Sequence, residues 1–129
     1  MISGKVSPDR EATIDLDVSG PSQQPQRTEV VIDTGFNGYL TLPKKRIHDL
    51  RLPFVGNRRA TLGDGNVVIL DVYLATVSWH GHEREVLALQ SDGGPLIGMS
   101  LLAGSRVTLD VVAGGAVRID ELPGTGRVS

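Results

Sequence analysis

The sequence predicts a mostly β single domain, a closed or sandwich-like β structure with one or two short helices. Its 129 residues fit one compact domain. Aromatic residues make up 4% of the chain and hydrophobic residues 40%, so the core must consist mainly of Val, Leu and Ile. Branched aliphatic side chains favour strands. Alternating segments and glycine-containing turns recur along the chain without a βαβ rhythm.

The first half of the chain contains three predicted strands and one predicted helix. Residues 12–18 alternate between apolar and polar types, which is the period of a half-buried strand. Residues 29–32 are nearly all apolar and suit a strand that is buried on both faces. Residues 39–42 predict a third, short strand. Pro43 is well placed to begin a helix that runs to about residue 50.

The second half is predicted to form three hairpins and a second short helix. The first hairpin turns at Asp64-Gly65, a pair that supplies the positive φ angles of a tight turn. The second short helix is expected to start within the apolar residues 95–102. The paired strands are residues 59–62 with 67–75, residues 76–79 with 84–89, and residues 106–112 with 116–119.

Composition excludes several classes of function. The chain has no cysteine, which rules out disulfides, thiolate metal sites and cysteine nucleophiles. Its net charge is −2 without a basic stripe, so we expect no nucleic-acid partner. No leader segment and no long apolar run is visible, and we expect a cytoplasmic protein without membrane contact. The predicted domain covers residues 1–122, and residues 123–129 are expected to be a flexible tail.

Asp33-Thr34-Gly35 is the segment that points to chemistry. An acid at the end of an apolar strand is costly unless it is hydrogen-bonded, paired or protonated. Gly35 allows its backbone N–H to approach the carboxylate of Asp33, and the Thr34 hydroxyl can bond the backbone or a counterpart across an interface. By itself, this tripeptide is more typical of an ordinary turn than of a catalytic site.

Two further segments make the pattern specific. With residues 30–35, the Gly63-Asp64-Gly65-Asn66 hairpin and residues 96–102 in this order, the sequence resembles the retropepsin-like aspartic peptidases of clan AA. The resemblance covers roughly residues 10–120, and this family includes retroviral proteases and bacterial relatives. In that family the three segments are the catalytic turn, the flap, and a strand that runs into the C-terminal helix. The resemblance therefore implies a retropepsin-like (acid protease) β-barrel.

The resemblance also implies an aspartic endopeptidase that acts on a polypeptide substrate. In this family two apposed aspartates share one proton and activate a water molecule, and no metal or cofactor takes part. The chain contains one Asp-Thr-Gly segment, so the second aspartate must come from another copy across a two-fold axis. The N-terminal residues and residues 116–119 are candidates for a sheet that two copies share.

The family pattern assigns site residues in this chain. The implied catalytic residues are Asp33, Thr34 and Gly35. The implied substrate-binding residues are Asn37, Gly63, Asp64, Gly65, Asn66, Val67, Leu96, Ile97 and Gly98. Retroviral proteases usually carry an Asp at the position of Asn37 and an Arg at the position of Met99, and these two groups pair. Here both are absent together, so neither charge is left buried alone.

A different class of function stays open at this point. A catalytically silent dimer of the same fold could act as a peptide-binding or interaction module. Asp64 suits an ordinary Asp-Gly turn as well as a flap tip. His80 and His82 have no Asp or Cys at metal-ligand spacing, and a solvated hairpin end is the expected role for both.

Overall fold

The computed structural model describes residues 1–61 and 63–124. Within these ranges the chain forms ten strands and two short helices. In chain order the elements are β1 (Ile2–Val6), β2 (Ala12–Ser19), β3 (Gln26–Ile32), β4 (Leu40–Leu42), α1 (Lys44–Asp49), β5 (Phe54–Thr61), β6 (Val67–Trp79), β7 (His82–Gln90), β8 (Leu96–Ile97), α2 (Met99–Leu102), β9 (Ser105–Leu109) and β10 (Ala116–Glu121).

Six of the strands close into a barrel in the order β6, β7, β4, β8, β3 and β2. The barrel closes where β2 pairs with β6, with Val18 opposite Val77. Aliphatic side chains fill the interior, as the low aromatic content predicts. The fully buried ones include Val18, Val30, Leu40, Leu42, Val77, Ile97 and Leu101. The prediction of a mostly β, closed single domain is therefore confirmed.

The terminal strands extend the sheet beyond the barrel within one chain. β1 pairs with β2 on one side and with β10 on the other, where Ile2 faces Ile119. β9 then pairs with β10 and forms the outer edge of the sheet. The sequence does not predict β1. The N-terminal residues and residues 116–119, which are the candidates for a sheet shared between two copies, pair with each other within one chain. β9 is the edge strand on this side.

β6 is one continuous strand, whereas the sequence predicts two strands, at residues 67–75 and 76–79. Its first half pairs with β5, and its second half pairs with β7 and β2. The prediction of two strands is wrong because the change of partner takes place without a break in the backbone. Residues 67–71 and β5 form a two-stranded ribbon, here called the flap hairpin.

The two helices are short and lie close to the predicted positions. α1 begins after Pro43 and ends before Leu50, one residue inside each predicted boundary. α2 follows Gly98 and has four residues. Neither helix of the described chain is long and apolar enough to cross a membrane. Residue 62 and residues 125–129, which include most of the predicted tail, lie outside the described residues.

Candidate active site

Asp33 lies immediately after β3, in a turn of residues 33–38 that we call the Asp33 turn. Its backbone N–H donates a 2.9 Å hydrogen bond to the carbonyl oxygen of Ile97, and its own carbonyl accepts from Phe36 N–H at 3.1 Å. Gly35 N–H donates to the Asp33 carboxylate oxygen Oδ1 at 2.9 Å. This bond is the close backbone approach that the sequence predicts at Gly35. The carboxylate is thus held in one orientation from within its own turn.

The Asp33 turn faces solvent in the single chain. Asp33 is half-buried, while Thr34 and Gly35 are exposed. Among the described residues, the Thr34 hydroxyl and the second carboxylate oxygen of Asp33 have no hydrogen-bond partner. The turn therefore presents an acid and a hydroxyl at a surface. Both groups can still form hydrogen bonds with another molecule.

β8 is the support on which the Asp33 turn rests. It lies between β3, to which it is parallel, and β4, to which it is antiparallel. Ile97 is opposite Ile32 on one side and Leu40 on the other, and its side chain is fully buried. This strand of two residues is held in the barrel wall because it has a partner on both edges.

Gly98 lies where the segment from β8 to α2 crosses the Asp33 turn at close range. A Cβ added at this buried position would lie 2.4 Å from the carbonyl oxygen of Gly38 and 2.5 Å from atoms of Phe36. The Gly98 N–H donates to Tyr39 O at 3.1 Å, and Met99 N–H donates to Phe36 O at 2.8 Å. Only a residue without a side chain fits at this crossing.

Three residues that the sequence does not single out complete the support. Phe36 is half-buried, and its ring occupies the space between Gly38 and Gly98. The Thr41 hydroxyl oxygen accepts Leu96 N–H at 3.0 Å. The hydroxyl of Ser100 donates to the carbonyl oxygen of Asn37. Of these three residues, only Phe36 has a signal in the sequence, because a large apolar residue inside a glycine-rich turn indicates a packing contact.

Apart from Asn37, the residues that the family pattern assigns to substrate binding fall into two groups. Gly63, Asp64, Gly65, Asn66 and Val67 are exposed at the tip of the flap hairpin. Asp64 accepts hydrogen bonds from the backbone N–H and the side-chain amide of Asn66, at 2.9 and 2.8 Å. Asp64 therefore stabilises the turn of the flap, as its Asp-Gly context suggests.

The second group lies in and beside β8. Leu96 is half-buried, whereas the Ile97 side chain and Gly98 are buried. The Ile97 side chain packs in the core, and the assignment of Ile97 to substrate binding stays a prediction. Ile97 and Gly98 support the Asp33 turn through their backbones, and Leu96 is the one of the three whose side chain is partly exposed.

Asn37 and Met99 stand where retroviral proteases usually have a charged pair. Asn37 is exposed, and the Met99 side chain is 46% exposed. The two segments are joined here by other means, because Met99 N–H bonds Phe36 O and the Ser100 hydroxyl bonds Asn37 O. Backbone and hydroxyl hydrogen bonds thus connect the turn to α2 without an ion pair.

Comparison with known proteins gives matches among solved structures. No protein-family model matches the chain, and no curated protein matches it. Among solved structures, the chain is similar to the crystal structure of a retropepsin-like aspartic protease from Rickettsia conorii. The TM-score is 0.55 and the sequence identity 16%, over 90% of this chain and 87% of that chain. At this identity the likeness concerns architecture, so the chain has a retropepsin-like fold.

Proposed function

We propose that this protein is an aspartic endopeptidase that is active as a homodimer. The observation that carries the proposal is the Asp33 turn. It holds an acid at a solvent-facing position by hydrogen bonds from Gly35 N–H and to Ile97 O, on a retropepsin-like barrel. A half-buried carboxylate fixed by the backbone suits acid–base chemistry at a surface that a second copy completes. The adjacent Thr34 hydroxyl, which has no partner within residues 1–61 and 63–124, is available to that copy.

The proposed mechanism needs two such turns. Two carboxylates close together cannot both ionise cheaply, so the pair shares one proton. The ionised member accepts a proton from a bound water molecule, whose oxygen attacks the carbonyl carbon of the peptide bond. The protonated member donates its proton to the carbonyl oxygen. The aspartate that took the proton from water then gives it to the amide nitrogen as the C–N bond breaks, and a hydroxyl proton of the tetrahedral species returns to the other aspartate. The pair again holds one proton, and no covalent enzyme intermediate forms.

The homodimer follows from the count of Asp-Thr-Gly segments, which is one per chain. Asp33 of one protomer would face the same residue of its partner across a two-fold axis, with the Thr34 hydroxyls close to the axis. Exposure of Thr34 and Gly35 in the single chain supports this arrangement, because these residues are then free to be covered by the partner.

A polypeptide in extended conformation is the substrate that the surrounding surfaces suit. The exposed tip of the flap hairpin offers backbone groups and the 51% exposed side chain of Val67. Leu96 and Asn37 would contribute from the side of the Asp33 turn. Extended peptides bind such surfaces through main-chain hydrogen bonds, with alternate side chains in pockets. A cytoplasmic location belongs to the same proposal, and a chain without cysteine has no disulfide that would require an oxidising compartment.

A second candidate is a dimer of this fold that binds peptides without cleaving them. The hydrogen bond from Gly35 N–H to Asp33 Oδ1 favours this candidate. An Asp side chain that accepts from the backbone two residues later stabilises a turn, whether or not the protein is catalytic. Asp64 makes the same type of bond to Asn66 N–H in the flap turn. The apposition of two acids, however, is costly for a module that only binds.

Cleavage of a mixed peptide library between about pH 3 and 7 tests the proposal. Asp33→Asn keeps an oxygen for the Gly35 N–H, so the fold is expected to survive while cleavage is lost. Asp9→Asn removes a carboxylate from an exposed turn and is the matched control that should cleave normally. Cleavage that is unchanged in Asp33→Asn, or that is insensitive to pepstatin, contradicts the proposal. Peptide binding without cleavage at any pH supports the second candidate.

A further inference from the structure

A large open groove lies beside α1, apart from the candidate active site. It has a volume of about 1160 Å³, and Lys44, Lys45, His48, Asp49, Arg51 and Tyr73 are among the residues that line it. We call it the α1 groove. Its lining shares no residue with the Asp33 turn or the flap tip. A groove of this volume that is open to solvent has room for a segment of polypeptide.

The α1 groove is positively charged in a chain whose net charge is −2. Lys45 is neutralised by Asp49, with 3.0 Å between the ammonium nitrogen and the carboxylate oxygen. The hydrogen bond from Lys45 lowers the pKa of Asp49, and the charges of His48 and Arg46 act in the same direction. Lys44 and Arg51 have no ion-pair partner among the described residues. Two positive charges in the groove are therefore available to a ligand.

These charges occupy positions that local structure disfavours. Lys44 and Lys45 lie in the first turn of α1, which contains no acidic residue, although positive charge at this end opposes the helix dipole. Arg51 follows the helix with a φ of 53°, where glycine is the residue that adopts such an angle without strain. Departures from local preference concentrate where a protein uses the side chain for something other than folding.

An apolar surface continues the groove. Tyr73 lines it, and the ring of Phe54 packs edge-on against Tyr73 with 5.6 Å between ring centres. Phe54 is 58% exposed, so much of its ring faces solvent at the base of the flap hairpin. Cations without an ion-pair partner in the described part of the chain, next to an aromatic pair in which Tyr73 is half-buried and Phe54 exposed, form a surface that suits acidic residues flanked by apolar ones.

We propose that the α1 groove docks an acidic segment of an extended peptide, with carboxylates beside Lys44 and Arg51 and an apolar side chain against Phe54 and Tyr73. A nucleic acid fits this surface less well. The positive charge is confined to one short helix and its end, Asp49 lies within it, and the chain as a whole is acidic. The docking does not depend on cleavage, because no residue of the Asp33 turn takes part.

Direct binding tests this inference. All groove variants are made in the Asp33→Asn background, so that cleavage cannot remove the ligand. The probe is a short fluorescent peptide of Glu and Leu residues, compared with peptides that carry Gln or Lys in place of Glu. We expect binding of the Glu peptide alone, weakened by added salt. Replacing both Lys44 and Arg51 by Gln should raise its Kd by roughly fivefold to tenfold.

Two glycine variants separate charge from folding. Arg51→Gly removes the groove charge and relieves the positive φ, so the melting temperature should rise while peptide affinity falls. Arg10→Gly is the matched control, since Arg10 also has a positive φ, of 65°, and lies outside the groove. It should raise the melting temperature without changing affinity. Equal affinity for the Glu and Lys peptides, unchanged affinity in Arg51→Gly, or tighter binding of a single-stranded oligonucleotide would each overturn the inference.

Discussion

The backbone N–H of Asp33 donates to the carbonyl oxygen of Ile97 at 2.9 Å, which continues the parallel pairing of β3 with β8 by one more bond. The position of the acid is thus fixed by a strand that is distant in the sequence and buried in the barrel. Whatever disturbs β8 must disturb Asp33. The chemistry proposed for Asp33 therefore depends on the packing around Gly98 and Thr41 as well as on the Asp33 turn.

Gly98→Ala tests the crossing of the two segments. The added methyl would meet the Gly38 carbonyl at 2.4 Å and Phe36 at 2.5 Å, so we expect a loss of about 1–3 kcal/mol in the free energy of unfolding. Denaturant unfolding measures it. Gly94→Ala is the matched control, because nothing lies within 4 Å of a Cβ there. Equal stability of the two variants would mean that the crossing does not constrain the turn.

Thr41→Val tests the hydrogen bond that holds β8. The variant keeps the shape of the side chain but leaves Leu96 N–H without its acceptor, and we expect a loss of about 1–3 kcal/mol. Thr28→Val is the internal comparison, since the buried Thr28 hydroxyl has no hydrogen-bond partner among the described residues. Its removal should leave stability unchanged or increase it. If Thr28→Val were the more damaging variant, this reading of β8 would be wrong.

The pH dependence of stability is expected to carry a contribution from His80. This residue is half-buried and bonds Ser105, with 2.8 Å between Nε2 and Oγ, so the expected solvated role is wrong for it. Burial lowers the pKa of His80 below its ordinary 6.5, against a smaller opposing effect of Glu121. The unfolded chain then binds the proton more readily, so this contribution is complete above pH 6.5 and is lost as the pH falls toward the lower pKa of the folded state.

His80→Gln should therefore flatten the stability profile between about pH 8 and 5 relative to the parent chain. Thermal or denaturant unfolding at several pH values measures the difference. His82→Gln, an exposed histidine two residues on, is the control and should keep the parent profile. A profile that is steeper in His80→Gln than in the parent would contradict the sign of this argument. The result also separates acid-induced unfolding from a true pH optimum of cleavage.

Much of the geometry of the candidate site could be predicted from the sequence because its signals are local. Asp33, Thr34 and Gly35 are adjacent, and the hydrogen bond from Gly35 N–H to Asp33 follows from a turn of this composition. The Asp64-Gly65 turn and the strand and helix around Gly98 are likewise short-range patterns. Taken together in their order along the chain, these segments carry the resemblance to the retropepsin-like peptidases, and that resemblance implies the barrel.

Features that depend on distant partners could not be predicted. Phe36 is an unremarkable residue until Gly98 is placed beside its ring, and the burial of Ile97 is visible only when β3 and β4 flank it. β1 is stabilised by β10 from the far end of the chain. The continuity of β6 is hidden for the same reason, because its partner changes near Val72 while its own sequence stays strand-like.

The most direct measurement of the central claim is the activity of mixed dimers. Parent chain and Asp33→Asn are unfolded together in equal amounts, refolded, and assayed at the total concentration used for the parent alone. A dyad shared between two copies leaves about one quarter of the parent activity, because only pairs of two intact chains are active. A site complete within one chain would leave about one half, and that result would contradict the account.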